Sequence, residues 1–197
     1  MRHAIDAAEP ARYALLGLLI DGPCHGYDLA RHFVPGSALG AVLRLGSSHL
    51  YALLGRLEKD RLIVGERRDD GVRPPRRVYQ VTEAGRAAVL RWIDEPVGRP
   101  REMLLDFPLK LYIARRQDPA RAGRLVVRQR RLLQVFMKQL EREKGALTDG
   151  EEEDAFIALM RDGRIARTKA SLDWLDQCAA TIEAAEAAQP HAFLPAR

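Results

Sequence analysis

Ser47, Ser48, His49, Tyr51, Arg56 and Lys59 fall within one short stretch of a 197-residue chain, where they supply hydroxyls, an imidazole and two cations. Such groups exchange hydrogen bonds with base edges and phosphate oxygens. Three further cations, Arg73, Arg76 and Arg77, stand close behind. Guanidinium groups there suit a phosphate backbone or an adjacent minor groove, and give affinity more than sequence choice. Bond-making chemistry has no comparable support. The chain lacks a glycine-rich phosphate loop, a nucleophile–base arrangement and a Cys/His ligand cluster, and carboxylates on helix surfaces do not form an acid–base pair by spacing alone.

The elements that position these groups are legible in the same stretch. Leu50, Leu53, Leu54 and Leu57 recur at i, i+3, i+4 and i+7, which predicts a helix whose apolar stripe faces a core. Its opposite face carries Ser48, Ala52, Gly55, Arg56 and Lys59, small or basic residues that let a backbone approach closely. Taken alone, that face fits a solvated surface helix as well as a groove reader. The next segments of the chain favour the groove reader: residues 63–68 read as a strand, 69–75 as a turn and 77–81 as a second strand, a basic β-hairpin or wing. Ser47 is expected to cap the helix. Tyr51 lies beside the stripe, so both a core-facing ring and a phosphate contact remain open, and His49 is either a solvated polar residue or a base reader.

Upstream, Pro10 opens a helix carrying Tyr13, Leu15, Leu16, Leu18, Leu19 and Ile20, apolar nearly all round and ended at 21–23. A second short helix starts near His25 and is expected to bury Tyr27, Leu29 or Ala30, and Phe33 before Pro35 and Gly36 break it. Residues 35–45 read as a linker. His25 caps or packs there, since no second ligand stands at metal spacing. Downstream, Thr82 caps a helix with Val89, Trp92 and Ile93 on one side. Trp92 reads as a core or interface anchor, and its place just after the wing makes it the candidate effector contact. Pro96, Gly98 and Pro100 mark a boundary.

Everything beyond is helical. Pro108 either begins a helix capped by Asp106 or Phe107, or kinks one. Asp118 and Pro119 form an N-cap and first-turn pair. Val126, Leu133, Leu140 and Leu147 repeat every seven residues with Leu132, Phe136 and Met137 beside them, and a Thr148–Glu151 capping box precedes a last helix. Two long helices with wide apolar faces cannot cover each other completely, so part of that surface is expected to pair with a second copy. The candidate interface comprises Leu104, Leu111, Leu133, Phe136, Leu140, Leu172, Trp174 and Leu175.

Composition agrees with a folded, mostly helical protein: 47% hydrophobic, 30% charged and only 6% aromatic, with a net charge of +5 and pI near 9.5. Cys24 and Cys178 fit no metal or redox spacing and read as free thiols. No export signal or apolar run of membrane-spanning length is evident, so a cytoplasmic location is expected.

Tyr13 to Leu19, His25-Gly26-Tyr27, Leu50-Tyr51, Arg56-Leu57-Glu58 and the segment 75–85 together resemble the PadR family of transcriptional regulators. Ala52 stands where that family usually has proline, and Arg61 where it usually has glycine. Leu159 to Gly163 and Asp173 to Leu175 resemble the helical C-terminal part of its longer members. The resemblance implies a mainly α fold: a winged helix-turn-helix domain with a two-stranded β wing plus a C-terminal α-helical dimerisation domain. The expected division is a tail at 1–9, the DNA-binding domain at 10–98, the dimerisation domain at 99–188 and a tail at 189–197. The implied function is a homodimeric repressor on an inverted-repeat double-stranded DNA operator, released by a small-molecule effector, with no cofactor, no metal and no membrane partner. The competing reading is a winged-helix protein–protein interaction module without sequence-specific DNA binding.

Overall fold

The computed structural model describes residues 8–68, 76–145 and 154–188. The predicted turn at 69–75, Leu147, the Thr148–Glu151 capping box, most of the N-terminal tail and all of the C-terminal tail lie outside the described residues.

Helix α1 (Ala8–Leu19) is the central beam, with Ala11, Ala14, Leu15, Leu16, Leu18 and Leu19 all buried. Pro10 sits in its first turn, where a missing amide hydrogen breaks no helical bond. Gly17 marks the closest approach. A Cβ built there would lie 2.5 Å from Ile113 Cγ2, so α1 seats directly against a helix of the C-terminal half.

The chain then makes a short strand β1 (Cys24–His25) and helix α2 (Gly26–Arg31). Leu29 and Phe33 are buried, whereas Tyr27 is 70% exposed, contrary to expectation. At about 100° per residue, Tyr27 stands on the far side of the turn from Leu29.

Helix α3 (Ser47–Lys59) buries the whole predicted stripe, Leu50, Leu53, Leu54 and Leu57. Its N-cap is Gly46 with no side-chain cap bond, and Ser47 is the first helical residue, so the expected hydroxyl cap does not form. The other end is closed by a Schellman motif. Leu62 N–H donates to Leu57 O and Arg61 N–H to Glu58 O, both at 2.9 Å. Arg61 therefore adopts φ +57°, the left-handed conformation that explains why glycine would be at home there.

Strands β2 (Ile63–Arg68) and β3 (Arg76–Val81) pair antiparallel, with Ile63 opposite Val81 and Arg68 opposite Arg76. The sheet has three strands, in order β1-β3-β2, because Cys24 and His25 pair with Tyr79 and Val78. A two-residue strand has no period for a sequence to reveal. Helix α4 (Glu83–Asp94) is capped as predicted, Thr82 Oγ1 accepting from Gly85 N–H at 3.1 Å.

A short 3-10 helix (Pro100–Leu104) leads to α5 (Asp106–Gln117), which starts after Leu105 rather than after a capping Asp106 or Phe107 and holds Pro108 in its first turn. Asp118 Oδ1 accepts from Ala120 N–H at 3.0 Å and opens α6 (Pro119–Gly145). Helix α7 (Ala155–Ala188) returns antiparallel along α6, bridged by Lys144–Asp162 at 3.2 Å and Arg130–Asp176 at 2.7 Å.

The two halves share one core. Buried Gln129 of α6 brackets the backbone of Val97, accepting from its N–H at 2.7 Å and donating to its C=O at 3.0 Å. Buried Lys110 of α5 donates to Trp92 O at 2.5 Å and Glu95 O at 2.7 Å, closing the C-terminus of α4.

Candidate nucleic-acid interface

The leucine stripe fixes α3 against α1 and the sheet, so the opposite face is presented without freedom to rotate. On it, Ser47, Ser48, His49, Ala52, Gly55, Arg56 and Lys59 are all exposed. Small residues leave open space around Gly46 and Gly55. Among the described residues Arg56 and Lys59 have no ion-pair partner, so both charges are available to an anion.

Tyr51 resolves into a mixed role. Its ring lies against Gly26, where a Cβ would sit 2.7 Å from Cε1 and 3.0 Å from the hydroxyl, yet the residue is 49% exposed. The backbone of α2 thus holds the ring while part of it faces solvent. Sequence reasoning passes over exposed Arg67 on β2, directly across from Arg77 and without an ion-pair partner among the described residues. Its only signal is the run Glu66-Arg67-Arg68, in which strand alternation does not say which cation stays free.

The wing cations differ from one another. Arg73 lies outside the described residues, and Arg76 opens β3 opposite Arg68. Arg77 is already engaged: its Nη2 donates to Glu58 Oε1 at 2.6 Å and its guanidinium stands 5.6 Å from the centre of the Tyr79 ring. Burial pushes the Tyr79 hydroxyl up from its ordinary range, with the Arg77 charge pulling it partly back.

Trp92 is built into the junction. Its ring stacks on Tyr13 at 5.0 Å and 10°, and the Lys110 ammonium stands 4.8 Å from its centre. Those contacts make it a packing residue joining α1, α4 and α5. A large cavity opens elsewhere, between the 3-10 helix and α7, and Trp92 is not part of its lining. It measures about 800 Å³ and is lined by Arg99, Arg101, Met103, Leu104, Pro108, Arg167 and Trp174 among others.

The expected dimer residues separate in the same way. Leu133, Leu140 and Leu175 are buried within the chain, because α6 and α7 cover one another along the heptad stripe. They are closed to a second copy in this conformation. Leu111, Phe136, Leu172 and Trp174 are partly buried; Arg164 stands over the Phe136 ring, and Trp174 meets Phe107 edge-on at 5.6 Å. Leu104 is 81% exposed. Val127 and Val135 on α6 are also exposed, eight residues apart on a face the heptad reading does not mark.

A stripe-seated helix with a free polar and cationic face, followed by a β-hairpin and carried on long helices, defines a winged-helix DNA-binding regulator. Residues 15–91 match the transcriptional regulator PadR-like family, and residues 105–183 match the virulence activator alpha C-terminal family. The chain thus carries a PadR-like transcriptional-regulator domain at residues 15–91, followed by a C-terminal helical region at residues 105–183. It is 24% identical over 178 residues to the negative transcriptional regulator PadR of Bacillus subtilis, covering 87% of this chain and 97% of that protein. It is 25% identical over 189 residues to a probable transcriptional regulator of Mycobacterium tuberculosis, covering 87% and 96%. The crystal structure of Bacillus subtilis PadR in complex with operator DNA aligns with 86% of this chain and 97% of its own at 23% identity, with a TM-score of 0.43. The chain is a DNA-binding regulator of transcription and not an enzyme. Among the described residues, no helix is long and apolar enough to cross a membrane.

Proposed function

We propose that this chain is a cytoplasmic homodimeric repressor that recognises an inverted-repeat operator and is released by a small-molecule effector. The observation that carries the reading is the rigidly seated outer face of α3, with Arg56 and Lys59 unpaired among the described residues, beside small and hydroxyl residues. Ser47, Ser48, His49 and Tyr51 then meet base edges or phosphates, and Arg67, Arg73 and Arg76 hold the backbone from the wing. Residues 10–98 are the DNA-binding part and 99–188 the dimerising part, with tails at 1–9 and 189–197. Repression is supported by the similarity to a negative regulator along nearly its whole length.

Dimerisation through the helical half is supported by the apolar side chains left open there, Leu104, Val127 and Val135. A symmetric pair sets two recognition helices about one DNA turn, or a multiple of it, apart. The effector site is assigned to the cavity beside Trp174 rather than to Trp92, since its volume falls in the range that holds small ligands. An effector there acts by favouring one angle between the two halves over another.

The test is binding of the full chain to the DNA upstream of its own gene across a salt series, with molar mass measured by sedimentation. Steep salt dependence, and an Arg56→Ala variant that loses affinity, are the expected results. No binding to that or any genomic fragment at low salt overturns the reading. Point substitution is the appropriate tool, because the contact of Gly17 with Ile113 means that deleting residues 99–197 would also open the core of the winged half.

A further inference from the structure

Arg77 and Glu58 meet in a niche that the sequence of the strand has emptied. A Cβ at Gly65 would lie 2.6 Å from Arg77 Nε, 2.9 Å from Glu58 Oε1 and 3.1 Å from Tyr79 Cε1. No larger residue fits without moving those groups. The absent side chain leaves the space in which the Arg77 guanidinium crosses β2 to reach the last turn of α3. Gly65 contributes a second bond as well. Strand β2 is an edge of the sheet, and the Gly65 N–H donates to Glu58 Oε1 at 3.1 Å, so one carboxylate oxygen holds both the free strand edge and the cation.

The arrangement has an electrostatic consequence. Three contacts fix the guanidinium: the charge-assisted bond at 2.6 Å, the Tyr79 ring at 5.6 Å and the walls of the Gly65 niche. Glu58 neutralises Arg77 at close range, and the carboxylate cannot swing away without releasing the Gly65 amide. Arg56, Lys59 and Arg67 lie within the same face and wing and carry no such partner among the described residues. The wing therefore contains cations of two kinds, free and held.

We propose that Glu58 is a positioning residue that ties the recognition helix to the wing and withholds Arg77 from the DNA backbone, so that Arg77 is not among the cations that neutralise phosphates. The inference rests on the reading of α3 and the wing as the DNA-contacting surface. It reassigns Arg77 from a clamp on nucleic acid to a clamp within the protein. Glu58 consequently limits sequence-independent attraction to DNA, leaving a larger share of the affinity to the residues on α3.

The experiment measures binding of the full chain to a short duplex of scrambled sequence over a salt series, for the parent, Glu58→Gln, Arg77→Gln and the double variant. Glutamine keeps an oxygen to accept from Gly65 N–H but removes the charge, so Glu58→Gln releases the guanidinium. One added phosphate contact steepens the plot of log affinity against log salt by about 0.9, which widens the loss between about 50 and about 200 mM salt by about 3.5-fold. That steepening is expected in Glu58→Gln and absent from the double variant, while Arg77→Gln keeps the parent slope. An unchanged slope in folded Glu58→Gln overturns the proposal. So does a slope reduced by about 0.9 in Arg77→Gln, which places Arg77 on phosphate already and decides the matter even where Glu58→Gln does not fold. If the parent binds no duplex at any salt, the DNA-contact reading itself fails, and the reassignment fails with it.

Discussion

Replacing Gln129 by leucine should be among the most destabilising single changes in the chain that leave every apolar contact in place. Gln129 is fully buried on α6, and its amide satisfies both backbone groups of Val97, itself buried in the segment after α4. Leucine has similar bulk but can neither accept from the Val97 N–H nor donate to its C=O. Each buried backbone group left without a partner costs about 1–3 kcal/mol. Two such groups, offset in part by no longer burying the glutamine amide, give a net loss of about 3 kcal/mol. For a chain of this size, each kcal/mol lowers Tm by about 2–4 °C, so a fall of roughly 6–12 °C is expected. The assay is thermal unfolding of parent and variant at one fixed protein concentration, since self-association makes Tm concentration-dependent. A companion variant adds a signature that poor packing would not produce. In Gln129→Glu, the buried acid holds both bonds only while protonated, so its folded pKa is raised. Its stability should be complete at low pH and lost as pH rises above the ordinary glutamate value of about 4.3. If Gln129→Leu lowers Tm by less than about 2 °C, or if the Gln129→Glu deficit is independent of pH, Val97 finds other partners and the bracket does not join the halves.

Two further outcomes concern single residues. Arg61→Gly removes a left-handed strain of about 1–2 kcal/mol while adding unfolded-state freedom worth about 0.4–1 kcal/mol, so urea unfolding should show a net gain of roughly 0.5–1 kcal/mol. Lys110 is pushed down to about 8 from 10.5 by burial, with Glu95, Asp106 and Glu102 pulling it partly back. The unfolded chain therefore holds this proton where the folded one releases it, and the contribution of Lys110 to stability rises between about pH 8 and about pH 10.5. Subtracting the unfolding free energy of Lys110→Met from that of the parent at each pH isolates the effect from the thiols and Tyr79; a flat difference across that window would contradict it.

Much of the architecture can be read directly from the chain because it is set by neighbours a few positions apart. The four leucines of α3 define their own buried face, Thr82 and Asp118 cap the helices they precede, and strands form at 63–68 and 76–81, within one residue of where the sequence puts them. The small and cationic outer face of α3 is the remainder once the stripe is assigned, so the candidate contact surface is legible too. Reading fails where the partner is distant in sequence. The expected burial of Tyr27 assigns it to the wrong side of a short helix whose orientation is set by Leu29 and Phe33 packing on other elements. The hydroxyl cap expected at Ser47 fails because the extended backbone of Gly46 already begins the helix.

The sequence by itself determines the order of the main helices and the two wing strands, the stripe that seats α3 and the charge carried by its outer face, since periodicity and capping are local properties. Tertiary structure alone decides which of those groups remain available. Leu133, Leu140 and Leu175 look like interface residues until α6 and α7 close over them. Arg77 looks like a free wing cation until the empty niche at Gly65 lets Glu58 take it, and Trp92 is an anchor or a candidate effector contact until Tyr13 and Lys110 meet its ring. Availability depends on what packs across a gap, and the residues that fill these gaps come from other strands and helices of the fold.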